Sequence, residues 1–393
     1  MPYLEILRVF LRLGLTSFGG PVAHIGYFRH EFVSRRQWVT DEQFTNLLAI
    51  CQALPGPASS QLGFLIGMHR GGLGGALLAW AGFTLPSALA LVLMAIYAMQ
   101  LSAAWVAPVI EGLKLVAVVV VAQAVIGMFR SLCRETVAQI LCGAGFALAL
   151  GLSGWFGQIT AIVLGGLAGL FLCASMRRAE TQAHSLGHAP SKRLGFLLLI
   201  LMLALLVVLP WLALHMPRLQ MFDSFYRAGA LVFGGGHVVL PLLESATVAP
   251  GLVSSDAFLT GYSLAQAVPG PLFTFAAWLG ALDPTMPNWP GAAMALIAIF
   301  LPGILLVTGI LPWWHELTRK PRAFGALTGI NAAVVGVLAA AWVDPIVTSS
   351  ITSISNAVVA GAGAALLFWR KSPVWFVVIV LPVLALTLDW AGL

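Results

Sequence analysis

The sequence predicts an all-α polytopic membrane protein built as two inverted-topology repeats, each carrying broken re-entrant helical hairpins beside ordinary transmembrane helices. Three observations predict it. The 393 residues are 60% hydrophobic and only 9% charged, where a soluble globular domain carries about 25% charge. Apolar runs close to the roughly 20 residues that cross a bilayer recur along the whole chain. Five blocks of the first half return in the second at a nearly constant offset of 214 to 217 residues. This composition excludes a soluble enzyme, a disulfide-stapled secreted domain and a disordered chain.

The blocks carry polar residues as well as apolar ones, which chance matching of apolar runs would not reproduce. Arg12 to Gly20 matches Arg227 to Gly235, and Val39 to Phe44 matches Val253 to Phe258. Cys51-Gln52-Ala53-Leu54-Pro55-Gly56-Pro57 matches Ala265-Gln266-Ala267-Val268-Pro269-Gly270-Pro271. Thr84-Leu85-Pro86 matches Phe300-Leu301-Pro302, and Gly112-Leu113-Lys114 matches Gly329-Ile330-Asn331.

Each copy holds six apolar stretches. In the first they cover 4–28, 43–68, 73–100, 105–129, 135–152 and 155–175; in the second, 221–243, 257–280, 290–313, 323–343, 346–368 and 373–391. The domains expected are a first repeat over 1–175, a polar cytoplasmic linker over 176–193, an extra connecting helix over 194–214 and a second, inverted repeat over 215–393. The linker contains His184 and His188, which read as a solvated loop rather than a metal site. Gly71-Gly72-Leu73-Gly74-Gly75 reads as a helix entry with close packing rather than a nucleotide loop. The first residues lack a basic region followed by an apolar core, so no cleaved signal peptide is expected.

Loop charge sets the orientation. The net charge of +6 comes from Lys and Arg in short gaps between apolar runs, which the positive-inside rule explains better than nucleic-acid binding. Arg29, Arg35, Arg36, Arg70, Arg130 and Arg134 mark gaps of the first copy whose counterparts hold Glu244, Asp256, Asp283 and Asp344. Arg319, Lys320 and Arg322 occupy a gap whose counterpart near 100–105 is uncharged. The bias reverses between copies, so the copies are expected to lie upside down relative to one another, as in many secondary transporters. Placing all six first-copy arginines on one side requires the 43–68 stretch to return to its starting side.

That stretch has a breaking point at Pro55-Gly56-Pro57, and 257–280 has the same one at Pro269-Gly270-Pro271: proline removes donors and glycine permits unusual dihedrals. Gly19-Gly20 and Gly234-Gly235 break the first stretch of each copy. Broken backbone at membrane depth is tolerated only where it is buried in protein or lines a cavity, so the four breaks are the candidate substrate site. A half-helix starting there offers unpaired N–H groups and a partial positive charge, a seat for an anion. Gln52 and Gln266 precede the breaks; Ser59 and Ser60 follow the first and Thr274 the second. These side chains either ligate the anion or satisfy broken backbone. His24 and His237 follow the glycine breaks and are candidates for charge or coupling. Arg12 and Arg227 snorkel to headgroups or act on charge within the membrane. Glu111 and Lys114 lie at i, i+3 on one helix face, to neutralise one another or to carry a coupling proton.

No G-x-x-x-x-G-K-[ST] or H-E-x-x-H motif is present, and Cys51, Cys133, Cys142 and Cys173 show no C-x-x-C spacing. No cofactor, metal site, disulfide framework or catalytic residue is expected. Periodicity and charge alone give an inverted-repeat transporter for an anion; a channel and a membrane-embedded enzyme compete with it.

Ser17-Phe18-Gly19-Gly20-Pro21, Gln37 to Phe44, Gln52 to Pro57, Ile66-Gly67 and Phe83-Thr84-Leu85-Pro86 resemble the chromate ion transporter family in its long two-domain form. So do Phe233 to His237 and Ala265 to Pro271. The resemblance implies a multi-pass exporter of chromate in the bacterial inner membrane that confers chromate resistance, with a cytoplasmic N-terminus; a transporter or channel for sulfate or another anion is the alternative. The partners implied are a chromate- or sulfate-like anion and the lipid bilayer, with a homodimer left open and no nucleic acid.

Overall fold

The structure, a computed structural model, describes residues 2–98, 105–152, 155–173, 190–216, 218–233, 236–314, 316 and 320–391. Helices dominate, and no strand occurs among the described residues. The chain is an all-α polytopic membrane protein. Among the described residues, five segments are long and apolar enough to cross a bilayer, and five shorter apolar helices accompany them. Large apolar side chains such as Leu4, Leu89, Phe171, Leu214 and Ile379 stand exposed, as bilayer-facing positions require.

The first half contains α1 (Pro2–Thr16), α2 (Gly20–Phe28), α3 (Asp41–Ala53), α4 (Ala58–Ala98), α5 (Val106–Leu132), α6 (Thr136–Gly151) and α7 (Trp155–Leu172). A single helix, α8 (Lys192–His215), follows, started by Ser191, whose hydroxyl accepts from Leu194 N. The linker before it lies outside the described residues up to 189. The second half contains α9 (Arg218–Leu231), α10 (Val239–Thr247), α11 (Ser255–Ala267), α12 (Phe275–Leu282), α13 (Asn288–Ile310), α14 (Pro321–Ala341), α15 (Ile354–Ala364) and α16 (Val374–Trp390). The apolar stretch over 346–368 is not one continuous helix: a wide turn at Trp342–Val347 and a short piece at Thr348–Ser350 precede α15. Pro345 has no amide hydrogen to continue the helical ladder there.

Matching positions use matching devices. Thr40 caps α3 with its hydroxyl on Gln43 N, and Ser254, its counterpart, caps α11 on Ala257 N; each satisfies a first-turn donor. The 41-residue α4 is not one span. Its backbone leaves helical geometry at Gly71 and Gly72, and a Cβ on Gly67 would stand 2.6 Å from Ala79 Cβ. A continuous helix would separate residues 67 and 79 by about 18 Å, so the chain folds back. The glycine run read as a helix entry is therefore a hairpin turn. In the second half Gly280 meets Gly291 and Ala295 in the same way, joining α12 to α13.

The halves also exchange contacts. Gly112 of α5 is pressed against Pro382 of α16, and its counterpart Gly329 of α14 against Gly165 and Gly169 of α7. The fourth stretch of each half thus packs on the sixth stretch of the other.

Arg36 and Arg70 both lie over the Trp38 ring, 5.7 and 5.5 Å from its centroid, and both reach Glu5, at 2.8 and 3.7 Å. Glu31 is buried at this corner. Burial opposes its ionisation, but hydrogen bonds from Arg36 and Arg35, with their charges, hold its carboxyl below the usual range. The corner brings residues 36 and 70 together, so the intervening α3, Pro55-Gly56-Pro57 turn and first limb of α4 leave this corner and come back to it. The second half turns similarly, with Trp278 Nε1 of α12 donating to Ala257 O near the start of α11 at 3.0 Å.

Candidate functional site at the four chain breaks

The described breaks meet at one junction through main-chain bonds between halves. The Gly56 N–H donates to Val232 O at 2.6 Å, and the Gly270 N–H donates to Ser17 O at 3.1 Å. Gly56 and Gly270 are counterparts in the repeat, and so are Ser17 and Val232. Each proline-flanked turn is thus held by the carbonyl that ends the first helix of the other half. Each turn also packs on the third stretch of the other half just past its proline: Gly56 approaches Gly303, and Gly270 approaches Ser87. Both glycines have positive φ, +122° and +112°, which L side chains rarely adopt. Pro55, Gly56, Pro57, Gly270 and Pro271 are buried, and Pro269 is partly so.

The side chains are less symmetric than the backbone. His24 is fully buried, with Nε2 3.1 Å from Ser17 O and Nδ1 3.4 Å from Ser59 Oγ. A carbonyl only accepts, so Nε2 carries the proton, and the neutral ring accepts from the Ser59 hydroxyl at Nδ1. The Ser17 carbonyl uses both lone pairs, one on His24 and one on Gly270. His237 has Nδ1 2.7 Å from the Tyr262 hydroxyl. Gln61, next to the serines, places Nε2 on Pro55 O at 2.8 Å and on Gly303 O at 3.2 Å. It ties the turn to the opposite half.

Gln52 is exposed, whereas Gln266 is buried and its Nε2 has no hydrogen-bond partner. Thr274 Oγ1 donates to Pro271 O at 2.7 Å, so it serves its own turn. Gly19 and Gly20 sit at the first break with φ of +99° and +74°. Gly234 and Gly235 lie outside the described residues.

The charged candidates separate. Arg12 is exposed on α1. Arg227 pairs with Asp223 one turn earlier on α9. The expected Glu111–Lys114 pairing is replaced by tertiary partners: Lys114 Nζ lies 2.8 Å from Asp256 Oδ1 at the start of α11, and Glu111 accepts from Asn356 Nδ2 at 3.2 Å. Partners on α11 and α15 win over a neighbour on the same helix because they satisfy each group without bending both side chains along one face. All four cysteines are buried and free. Cys133, Cys142 and Cys173 share one small apolar cluster with Ala332 of α14, which their spacing did not signal. No group of three metal-ligating side chains occurs among the described residues.

Comparison with known proteins decides the family. The family model described as "Chromate transporter" matches residues 4–170 and again 219–386. The chain belongs to the chromate transporter family. It is a family of transporters rather than of enzymes. The chain is 29% identical to the "Probable chromate transport protein" of Synechococcus elongatus, over 86% of this chain and 83% of that one. It is 27% identical to the "Chromate transport protein" of Pseudomonas aeruginosa, over 97% and 91% respectively. It is 29% identical to that of Cupriavidus metallidurans, over 93% and 88%. No solved structure matches the chain. The junction where Gly56 and Gly270 cross lies within the two matched regions.

Proposed function

We propose that this chromate transporter exports chromate, or a closely similar tetrahedral oxyanion, from the cytoplasm across the bacterial inner membrane and thereby confers resistance. The observation that carries the reading is the reciprocal crossing of the two Pro-Gly-Pro turns, Gly56 on Val232 and Gly270 on Ser17, in a chain whose halves both match the family. Half-helices that begin at such turns direct N–H groups and positive dipole ends towards one point. Neutral donors hold a dianion without trapping it in a permanent salt bridge, and a transporter must release its cargo. Efflux from a cell that is negative inside is also electrically downhill, by about 2.3 kcal/mol per charge per 100 mV.

Inverted membrane vesicles containing the protein are expected to take up chromate saturably, with excess sulfate competing because its charge and shape are alike. Uptake indifferent to sulfate means the site reads more than a tetrahedral dianion, and absent uptake removes the assignment.

The halves lie inverted in this reading, with the N-terminus and the Arg29–Arg36 corner cytoplasmic. The reversed loop charges and the paired contacts of the halves support it. Single cysteines at Arg35 and at Ser254, in a background lacking the native four, are expected to differ in an all-or-none way towards an impermeant thiol reagent. Ser254 should label from outside the cell and Arg35 only after permeabilisation. Equal labelling of the two from outside refutes inversion.

A further inference from the structure

The two halves have diverged at the turns in a way that bears on where an anion sits. Counterparts across the repeat are Ser17 and Val232, Ser59 and Phe273, Ser60 and Thr274, Gln61 and Phe275. The first half is polar at all four positions. The second offers three apolar side chains and a threonine whose hydroxyl is spent on Pro271 O. The backbone scaffold is shared, but at these four positions side-chain polarity is concentrated in the first half.

Within the first half the hydroxyls are unequal. The Ser59 proton points to His24 Nδ1. Ser17 Oγ and Ser60 Oγ are buried, at 0% and 4% exposure, and have no hydrogen-bond partner. A buried hydroxyl without a partner is costly, and two of them sit at adjoining chain breaks. His24 bridges those breaks from the Ser17 carbonyl to Ser59, the neighbour of Ser60. Ser60 is also in the first turn of α4, where the N–H groups of Ala58, Ser59 and Ser60 have no acceptor inside their own helix. Thirteen residues separate this helix start from the reversal at Gly71, ample for a dipole end of full strength. Donor hydroxyls, first-turn amides and a helix N-terminus together suit an oxyanion and no cation.

We infer that the oxyanion seat is one-sided: it is built on the first half, and the Ser17 and Ser60 hydroxyls are its ligands. The inference rests on the transport reading above. The second half contributes the turn that closes over the seat, through the Gly270 N–H on Ser17 O, rather than a second equivalent seat. Because neither hydroxyl bonds to protein, removing it strands no partner, so folding and anion binding should respond in opposite senses.

The test uses the full chain in lipid nanodiscs, with chromate and sulfate as the probes. Equilibrium binding and the melting temperature without anion are measured for the parent, Ser17→Ala, Ser60→Ala and Ser60→Thr. Ser131→Ala is the control, an exposed serine that donates to Met128 O of its own helix. Each alanine variant is expected to lose about ten- to hundred-fold in affinity for both anions, with a melting temperature equal to or above the parent's. Ser60→Thr, which keeps the hydroxyl, should recover most of the affinity, and the control should bind like the parent. Parental affinity in both alanine variants overturns the one-sided seat while leaving the transport reading in place, since the parent still binds. A parallel fall of affinity and melting temperature marks a structural role and overturns it too. A parent that binds neither anion removes the transport reading itself.

Discussion

Gly56→Val and Gly270→Val are each expected to reduce chromate transport to background in the vesicle assay. Both positions combine two constraints. Their φ angles, +122° and +112°, would put a β-branched residue in a region costing about 1–3 kcal/mol. A Cβ on Gly56 would collide with Gln61 Nε2 and stand 3.3 Å from Gly303 Cα; one on Gly270 would stand 2.7 Å from Ser87 Oγ. Relief at Gly56 displaces the Gln61 amide that ties the turn to Gly303 O, and relief at Gly270 displaces the Ser87 hydroxyl; in both, the strained φ also pulls on the main-chain bond that the turn makes to Val232 O or Ser17 O. The proper comparison is Gly251→Asn. Gly251 also has positive φ, +78°, but nothing lies within 4 Å of its Cβ position, and Asn tolerates the left-handed region. It should be expressed and transport like the parent. Transport by the two valine variants at the level of Gly251→Asn would show that the turns merely kink the chain and that the anion passes elsewhere.

The turns themselves were legible in the sequence because Gly and Pro act on the backbone directly, and a Pro-Gly-Pro forbids a continuous helix whatever surrounds it. The caps at Thr40 and Ser254 were legible for the same local reason. What each turn bonds to was not. Val232 accepts through its carbonyl, which every residue possesses, so no side chain marks it as the partner of Gly56. Glu111 and Lys114 show the converse. Their spacing is a sound local signal, and tertiary partners at Asn356 and Asp256 overrode it. Gln52 and Gln266 occupy the same place in the repeat, yet one is exposed and one buried, because sequence symmetry fixes the backbone position and the neighbouring helices decide the environment. The glycines at 71 and 72 were visible, but their role as a reversal depends on Gly67 and Ala79 meeting across it.

Gly329→Val is expected to destroy the fold rather than the transport step. Gly329 lies where α14 of the second half crosses α7 of the first, and a Cβ there would collide with the Gly165 carbonyl, with Gly169 Cα 2.7 Å away. Both obstacles are backbone, so no rotamer change relieves them and the helices must separate. Gly165 and Gly169 press on Ala333 and Gly325 along the same line, so the separation would propagate over more than one turn. In a bilayer, helices associate through close packing of small residues rather than through hydrophobic exclusion, and overpacking a tight contact costs about 3 kcal/mol. That is a large share of a typical stability of about 5–15 kcal/mol. Detergent-solubilised Gly329→Val should therefore elute as aggregate on fluorescence-detected gel filtration. Gly143→Ala on α6 has nothing within 4 Å of the new Cβ and should elute as the parent does, with a melting temperature unchanged or higher because Ala favours helix by about 1 kcal/mol over Gly. A monodisperse Gly329→Val with the parent's melting temperature would mean that α7 and α14 do not hold the two halves together.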